Sequence, residues 1–560
     1  MLARARALRA SPRFVPSNPS SHSAGATQTR RRRAFPTFSA MAKSETPSSS
    51  AEYRRAKVAV IGAGAAGLAA ARELKREGHT VVVFEQGKDV GGVWVYDENV
   101  ETDKLGIQVN RKKVHSSVYA SLRTNLPREV MGYGSFPFTK GFSGKDNRRF
   151  CGHKEVRAYL DAYADHYELR ALIKTNTKVV SAEPTSEMDP DYLVAPPGYD
   201  YPKWGPRWGI TTTDSDTDTE TKKEIFDAVV VCNGHYSEPR VPELPNADKS
   251  PITQMHSHNY RVPDDDLFVG KKVVVLGASA SGEDLSREIA SVAQTVILSA
   301  TGWKEDCDKK EFPAESHPDN MRRTGGIVEF GSTSNSVTFE NDVTEQDVDV
   351  VVYATGYKVT FPFFLSGDGE GESNNVSSKT DASKSEKIIL TSTDNKVVPL
   401  WDHVFSPFAG PSLSFIGLPW KVVPFPQFEV QGRWISQAIS GKVTLPDRDE
   451  MMHSVEKEIL LDKNNHILDR HFHRMGNAQF EYNDRLLERC GEGPMPQWRQ
   501  EMYLKTGQRK RSEPTSYRDG PTPWSDESSR FEARAEATDL GFENEPLDDE
   551  VFTEVVTTSS

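Results

Sequence analysis

The sequence predicts an α/β protein with two Rossmann-like dinucleotide-binding domains, FAD/NAD(P)-binding in type, the second inserted into a discontinuous first. Three observations carry that expectation. Two glycine-rich turns, GAGAAG at Gly62 to Gly67 and GASASG at Gly277 to Gly282, each follow an apolar strand and open an amphipathic helix. That context places a pyrophosphate on a helix N-terminus, and without it the glycines would mean little. The strands that follow the two helices end differently, in Glu85 and in Ser299. Finally, strand character returns in LSFIGLPW after the second unit has closed on DVDVVVYATGY, so the first domain resumes there.

In the first unit KVAVIGAG supplies the strand and ARELKREG the helix, and Gly62, Ala63, Gly64, Ala65, Ala66 and Gly67 form the turn offered to a pyrophosphate. The next strand, TVVVFEQ, ends in Glu85, about twenty residues beyond the glycines, where a carboxylate accepts a hydrogen bond from an unphosphorylated ribose 2′-OH. FAD or NAD fits that position and NADP does not. Gly91, Gly92 and Trp94 in GGVWVY then make a tight turn, which either approaches a flat ring closely or is an ordinary β-turn with a packed Trp. SLRTNLPREVMGYGSFPF reads as an ordered loop, and HKEVRAYLDAYADHYE as a helix whose Val156, Tyr159, Leu160 and Tyr163 face the core. The polar stretches 181 to 203 and 211 to 224 read as a surface hairpin and loops. IFDAVVVCNGH closes the unit, with Asn233 and Gly234 at the carboxyl end where ligands meet parallel sheets, and SEPRVPELP is a linker.

In the second unit KVVVLGAS and LSREIASV frame Gly277, Ala278, Ser279, Ala280, Ser281 and Gly282, with Ser279 in the place of the middle glycine. Its second strand, TVILSATGWK, carries no acid at Ser299, and Thr301 and Lys304 follow, a setting that tolerates or attracts a 2′-phosphate. The pair therefore reads as FAD first and NADPH second. The expected boundaries are a disordered leader at 1–54, the first domain at 55–245 and 358–510, the NADPH-binding domain at 246–357, a flexible insertion near 366–386, and an acidic, mostly disordered tail at 511–560.

Of the 560 residues, 69 are Lys or Arg and 81 are Asp or Glu, a formal net charge of -12. The leader opposes that balance: it holds Arg4, Arg6, Arg9, Arg13, Arg30 to Arg33 and Lys43, and no acid before Glu45. It is either a transit peptide for chloroplast or mitochondrion, or a segment bypassed from Met41 that leaves a cytoplasmic protein. The more acidic remainder disfavours nucleic acid as a partner, and no run approaches the ~20 apolar residues of a membrane anchor. Cys151, Cys232, Cys307 and Cys490 are far apart, which excludes a CxxC metal site and a dithiol-disulfide mechanism.

GAGAAG, GGVW, SLRTNLPREVMGY, QMHSHNYR, ATGY and SFIGLPW, in this order, resemble the flavin-containing monooxygenases, most closely the plant glucosinolate S-oxygenase-like group, over roughly residues 55 to 510. His256, Tyr260 and Arg261 match the family's FxGxxxHxxxY pattern and its basic residue, whereas Ser250 and Ile252 stand where Phe and Gly are expected. His256 and His258 read as hydrogen-bonding linker groups, and no metal is expected. Asn125 in RTNLP matches the family's asparagine beside the flavin; without the resemblance it would read as a turn residue before Pro127. The resemblance implies an enzyme in which NADPH reduces FAD, O2 adds as a C4a-hydroperoxide, and a small-molecule soft nucleophile takes the distal oxygen. Thioether sulfur is the first choice of acceptor and amine nitrogen the second. A non-catalytic FAD-binding paralogue and a redox-sensing interaction protein are the remaining alternatives.

Overall fold

The structure is a computed structural model and describes residues 53–138, 141–185, 205–215, 217, 219–263, 266–303, 318–364, 375–377, 387–391 and 395–519. The leader up to residue 52, Lys304, Cys307, most of the 366–386 insertion and the tail from residue 520 lie outside them.

The first glycine turn joins β1 (Lys57–Ile61) to α1 (Ala65–Glu77), and β2 (Thr80–Phe84) follows. After the short α2 (Arg128–Met131) and α3 (His153–His166) the chain forms β3 (Ile173–Lys174), β4 (Thr177–Pro184), β5 (Trp208–Asp214), β6 (Glu220–Phe226) and β7 (Ala228–Val231). It then crosses through β8 (Glu238–Pro239) to β9 (Thr253–His256), β10 (Lys272–Leu276), α4 (Ala280–Ala290), β11 (Thr295–Ser299) and β12 (Met321–Thr324). A meander of β13 (Ile327–Phe330), β14 (Val337–Phe339) and β15 (Thr344–Glu345) leads to β16 (Val350–Tyr353), and β17 (Tyr357–Lys358) begins the return. β18 (Asn375–Ser377), β19 (Lys387–Thr391), β20 (Val397–Val398), β21 (Phe405–Ser406) and β22 (Gly410–Phe415) precede four helices, α5 (Pro424–Ser440), α6 (Arg448–Asn464), α7 (Ala478–Arg489) and α8 (Gln497–Ser512).

Two sheets organise these elements. The first has the order β21-β22-β7-β1-β2-β3, and β22 pairs in parallel with β7, Leu413 opposite Val229. A strand from the far end of the chain therefore completes the sheet that the first glycine turn begins. The second sheet, β12-β11-β10-β16-β9, is parallel throughout and is built wholly from the chain between β8 and β17. This is the expected pair of Rossmann-like domains with the second inserted into the first.

Strand alternation decides what each sheet face meets. In β1, Val58 and Val60 face α1, α3 and α5, whereas Ala59 and Ile61 face Trp208, Ile210, Phe226 and Phe415. Val273 and Val275 of β10 pack with Leu285 and Ile289 of α4, while Val274 and Leu276 meet the β13-β15 meander. Burial of each such aliphatic side chain stabilises the fold by about 1.5–3 kcal/mol.

Three segments depart from the sequence reading. The stretch 211–224 is a hairpin as read, but with β4 it forms a three-stranded antiparallel sheet, β4, β5 and β6, that covers the back of the first sheet, and residues 186–203 lie outside the described residues. The inward set is Val179, Ala182, Trp208, Ile210 and Phe226, and Thr, Asp and Lys on the other face hide the period of two. Within the insertion expected to be flexible, Asn375–Ser377 form β18, antiparallel to β19. Past the expected start of the tail, α8 runs to Ser512 and Tyr517 is buried edge-on against Phe150. Among the described residues no helix is long and apolar enough to cross a membrane.

Candidate active site

The two glycine turns are built alike. The first glycine of each has a left-handed φ, 102° at Gly62 and 116° at Gly277. A Cβ there would lie 2.6 Å from the Cys232 carbonyl oxygen in one unit and 2.4 Å from that of Ala354 in the other. The turns thus pass hard against the ends of β7 and β16. Each helix then starts from a residue, Gly64 or Ser279, whose side chain caps no backbone N–H. An uncapped helix start offers N–H donors and a positive dipole end to an anion.

At the end of β2, Glu85 is buried, and its carboxylate accepts from the N–H groups of Ala63 and Gly87, both at 2.7 Å. It therefore braces the glycine turn from below. The Gly91–Gly92 turn closes over the same place, with the Gly91 N–H donating to the Ala63 carbonyl at 3.0 Å. Trp94 meets Phe425, at the start of α5, edge to face at 6.4 Å between ring centroids. Phe425 continues into stacked Tyr133 and Tyr159, so the tyrosines of α3 read as core in the sequence are buried core.

The matching place in the second unit differs. Ser299 is fully buried and its hydroxyl donates to the Gly325 carbonyl at 2.6 Å, so it turns inward and leaves the edge to the exposed Thr301. Beside it stands a cation the sequence reading missed. Arg323 on β12, in register with Leu298, lies over the Trp303 ring at 5.1 Å and pairs with Glu283 of α4 at 3.0 Å. Nothing in the sequence announces it, because it depends on the register of a strand across the sheet.

The domain crossings gather the remaining polar groups. β8 and β17 pair with each other, Pro239 opposite Tyr357 and Glu238 opposite Lys358. His256 Nδ1 accepts from the His258 N–H at 3.1 Å, and its Nε2 donates to the Gly356 carbonyl at 3.0 Å. His258 Nε2 bonds the Val114 carbonyl at 2.8 Å. Although no carboxylate sits at ligand spacing from these histidines in sequence, the fold brings Glu101 to 3.6 Å from His258. Glu101 is held below the usual carboxylate range by hydrogen bonds from His258, the Val114 N–H and Arg111, which outweigh the opposing effect of its burial. Arg261 donates every N–H of its guanidinium to main-chain carbonyls, those of Asp97, Asn99, Ser116, His258 and Tyr260, at 2.7 to 3.0 Å. Burial also pushes the His256 ring down to about 3, the His235 ring down to about 4 and the Tyr357 phenol up to about 12. The His235 and His256 rings and the Tyr357 phenol are therefore neutral at pH 7, whereas the Glu101 carboxylate beside them is ionised.

Asn125 lies on an exposed turn between Thr124, whose N–H donates to the Cys151 carbonyl at 2.9 Å, and Pro127. Its amide finds no partner among the described residues, so the turn is not held by the Asx bond that this residue type offers elsewhere.

A sequence model of the family described as flavin-binding monooxygenase-like matches residues 55–305 and 309–495. The chain belongs to that family. This flavin monooxygenase is 43% identical to Arabidopsis thaliana flavin-containing monooxygenase FMO GS-OX-like 4 over 465 residues, which is 82% of this chain and 93% of that one. It is 40% identical to FMO GS-OX5 of the same plant over 479 residues, 85% of this chain and 93% of that one. Among solved structures it is similar to S-allyl-L-cysteine S-oxygenase from Allium sativum, with a TM-score of 0.74 and 37% identity, covering 87% of this chain and 100% of the other. The monooxygenase uses FAD and NADPH as cofactors. Its two uncapped helix starts fit two pyrophosphates, and the Gly64–Gly92 contact, where a Cβ on Gly92 would fall 2.9 Å from the Gly64 Cα, is a cradle a side chain would fill.

Proposed function

We propose that this flavin monooxygenase oxygenates thioether sulfur in a small molecule, consuming NADPH and O2. The observation that carries the reading is the match to S-allyl-L-cysteine S-oxygenase over the whole of that protein. The site chemistry supports it. A thioether is already nucleophilic, whereas an alkylamine arrives protonated and needs a base or a carboxylate partner before it can react. The junction offers His235, His256 and Tyr357 as neutral groups, and its Glu101 carboxylate is already engaged by Arg111, His258 and the Val114 N–H, which suits the sulfur acceptor.

In this reading the Gly62–Gly67 turn and the start of α1 hold the FAD pyrophosphate, Glu85 takes the ribose, and Gly92 and Trp94 flank the ring. The Gly277–Gly282 turn and the start of α4 hold the NADPH pyrophosphate. Thr301 and Lys304 meet the 2′-phosphate, and Arg323 adds the planar fork that a phosphate favours. Asn125 offers a donor and an acceptor to the reacting centre without an acidic proton. Bound FAD supplies electron transfer from NADPH and the activation of O2. The protein aligns the two nucleotides and excludes water from between them.

The test is a panel of thioethers and amines incubated with the FAD-loaded protein and NADPH. A sulfoxide formed with one NADPH consumed per oxygen atom is expected. An N-hydroxylated product, or NADPH consumed with peroxide as the sole product across the panel, contradicts the reading.

A further inference from the structure

The seven residues after α8 lie beyond the stretch that the family model matches, which ends at residue 495. Tyr517 is buried edge-on against Phe150, at 5.5 Å between ring centroids. From that anchor Arg518 reaches two separate parts of the molecule. Its Nη2 and Nη1 donate to Asp284 Oδ2 and Oδ1 at 2.6 and 3.3 Å, on α4 of the inserted domain. Its Nε donates to the Thr124 carbonyl at 3.0 Å, one peptide before Asn125. The next residue, Asp519, pairs with Arg123 at 2.7 Å, and Arg123 in turn donates to the Phe150 carbonyl at 2.9 Å. Tyr119 closes the same circuit through its hydroxyl, 3.4 Å from Asp284 Oδ2.

We propose that Glu513–Asp519 is a strap that positions the Asn125 turn against the NADPH-binding domain, with Arg518 as the positioning residue. The physical case lies in the fork of the guanidinium. Its paired Nη atoms take the carboxylate of Asp284, and its Nε is left in the same plane to hold the Thr124 carbonyl. One side chain thereby sets the distance between α4 and the peptide next to Asn125. With side-chain exposures of 16% for Arg518 and 13% for Asp284, water competes little for either group. A lysine in place of Arg518 could keep the ion pair and could not hold the carbonyl at the same time.

The inference rests on the role given to Asn125 above, so the experiment separates the two. Full-length FAD-loaded R518A, R518K and N125A are compared with the parent by hydrogen-deuterium exchange and by peroxide released per NADPH consumed with a thioether present. In R518A and R518K, exchange over residues 119–127 rises about tenfold, the change expected when a charge-assisted hydrogen bond is removed from a local opening equilibrium. Exchange over residues 57–77 stays at the parent level, and anaerobic flavin reduction by NADPH is unaltered. Peroxide per NADPH rises roughly threefold or more, because a small displacement of a reacting group is costly. Unchanged exchange over 119–127 in R518A overturns the strap. If exchange rises there while N125A leaves peroxide release at the parent level, the strap stands and the role of Asn125 falls.

Discussion

Ser279 at the second glycine turn has the backbone conformation of Gly64 at the first: φ and ψ are -87° and -167° in the one and -72° and -174° in the other. Both are extended angles open to any residue. The middle position of the turn is therefore not reserved for glycine by the backbone, and what distinguishes it is what approaches from outside. At Gly64 an added Cβ would meet only the Gly92 Cα at 3.5 Å and the Gly92 nitrogen at 3.8 Å, ordinary contacts.

Gly64→Ala is accordingly expected to fold and to bind FAD about tenfold or more weakly, a cost of ~1.4 kcal/mol per factor of ten. FAD-to-protein ratio after gel filtration, with circular dichroism as the check on folding, reads both. Gly67→Ala serves as the contrast, since its Cβ would fall 1.8 Å from the Gly62 carbonyl oxygen and the protein should not fold. Full FAD occupancy in Gly64→Ala would remove that residue from the cofactor site.

Arg323→Ala is expected to reduce kcat/KM for NADPH by about tenfold, with little change for NADH, because a guanidinium–phosphate contact is lost from one cofactor alone. Glu283 keeps its second partner, Arg287 at 2.7 Å, so the helix start is not left with an unpaired acid. Equal losses with both cofactors would show that Arg323 serves the fold and not the phosphate.

The His256 ring predicts an acid-side loss of stability. Burial lowers its folded-state value from 6.5 to about 3, so its contribution is fully present above pH 6.5 and is lost as pH falls toward 3. Through that window the unfolded chain holds one more proton at this residue, a slope of about 1.4 kcal/mol per pH unit. His258, Glu101 and Tyr357 face the ring and do not reverse the sign. Urea midpoints measured from pH 7 to pH 4 should fall less steeply in His256→Gln than in the parent, and parallel curves would contradict the assignment.

Arg261→Lys is expected to destabilise the protein on the order of 3 kcal/mol, because an ammonium cannot satisfy carbonyls spread around a planar fork and several are left buried without donors. A shift in urea midpoint equivalent to less than about 1 kcal/mol would show that water replaces the lost donors.

Much of this was legible in the sequence because the signals are local. The β-branched runs before Gly62 and Gly277 and the aromatic stripe of α3 follow from neighbours in the chain. The β4-β6 sheet was not, since its outward Thr, Asp and Lys residues mask the alternation of Val179, Trp208 and Ile210. Arg323 and Arg518 were hidden for another reason. Each acts through a partner brought by tertiary packing, Glu283 some forty residues away and Asp284 more than two hundred, and no spacing rule reaches so far. Glu85 shows the converse, where a residue singled out for its place relative to a ribose also holds the main chain of the turn.

The pairing of β8 with β17 limits how the halves of this enzyme can move. The polypeptide enters and leaves the inserted domain through adjacent antiparallel strands that are hydrogen-bonded to one another. An insertion tethered by two passages on one line is confined to turning about that line like a door on its pin, it cannot slide along the face of its neighbour without breaking the pair, and any turn has first to release the Arg518–Asp284 tie on α4. Opening to admit one nucleotide and closing to bring two rings together would then be a single rotation, with the far edge of the domain travelling most and the glycine turn nearest the pin travelling least.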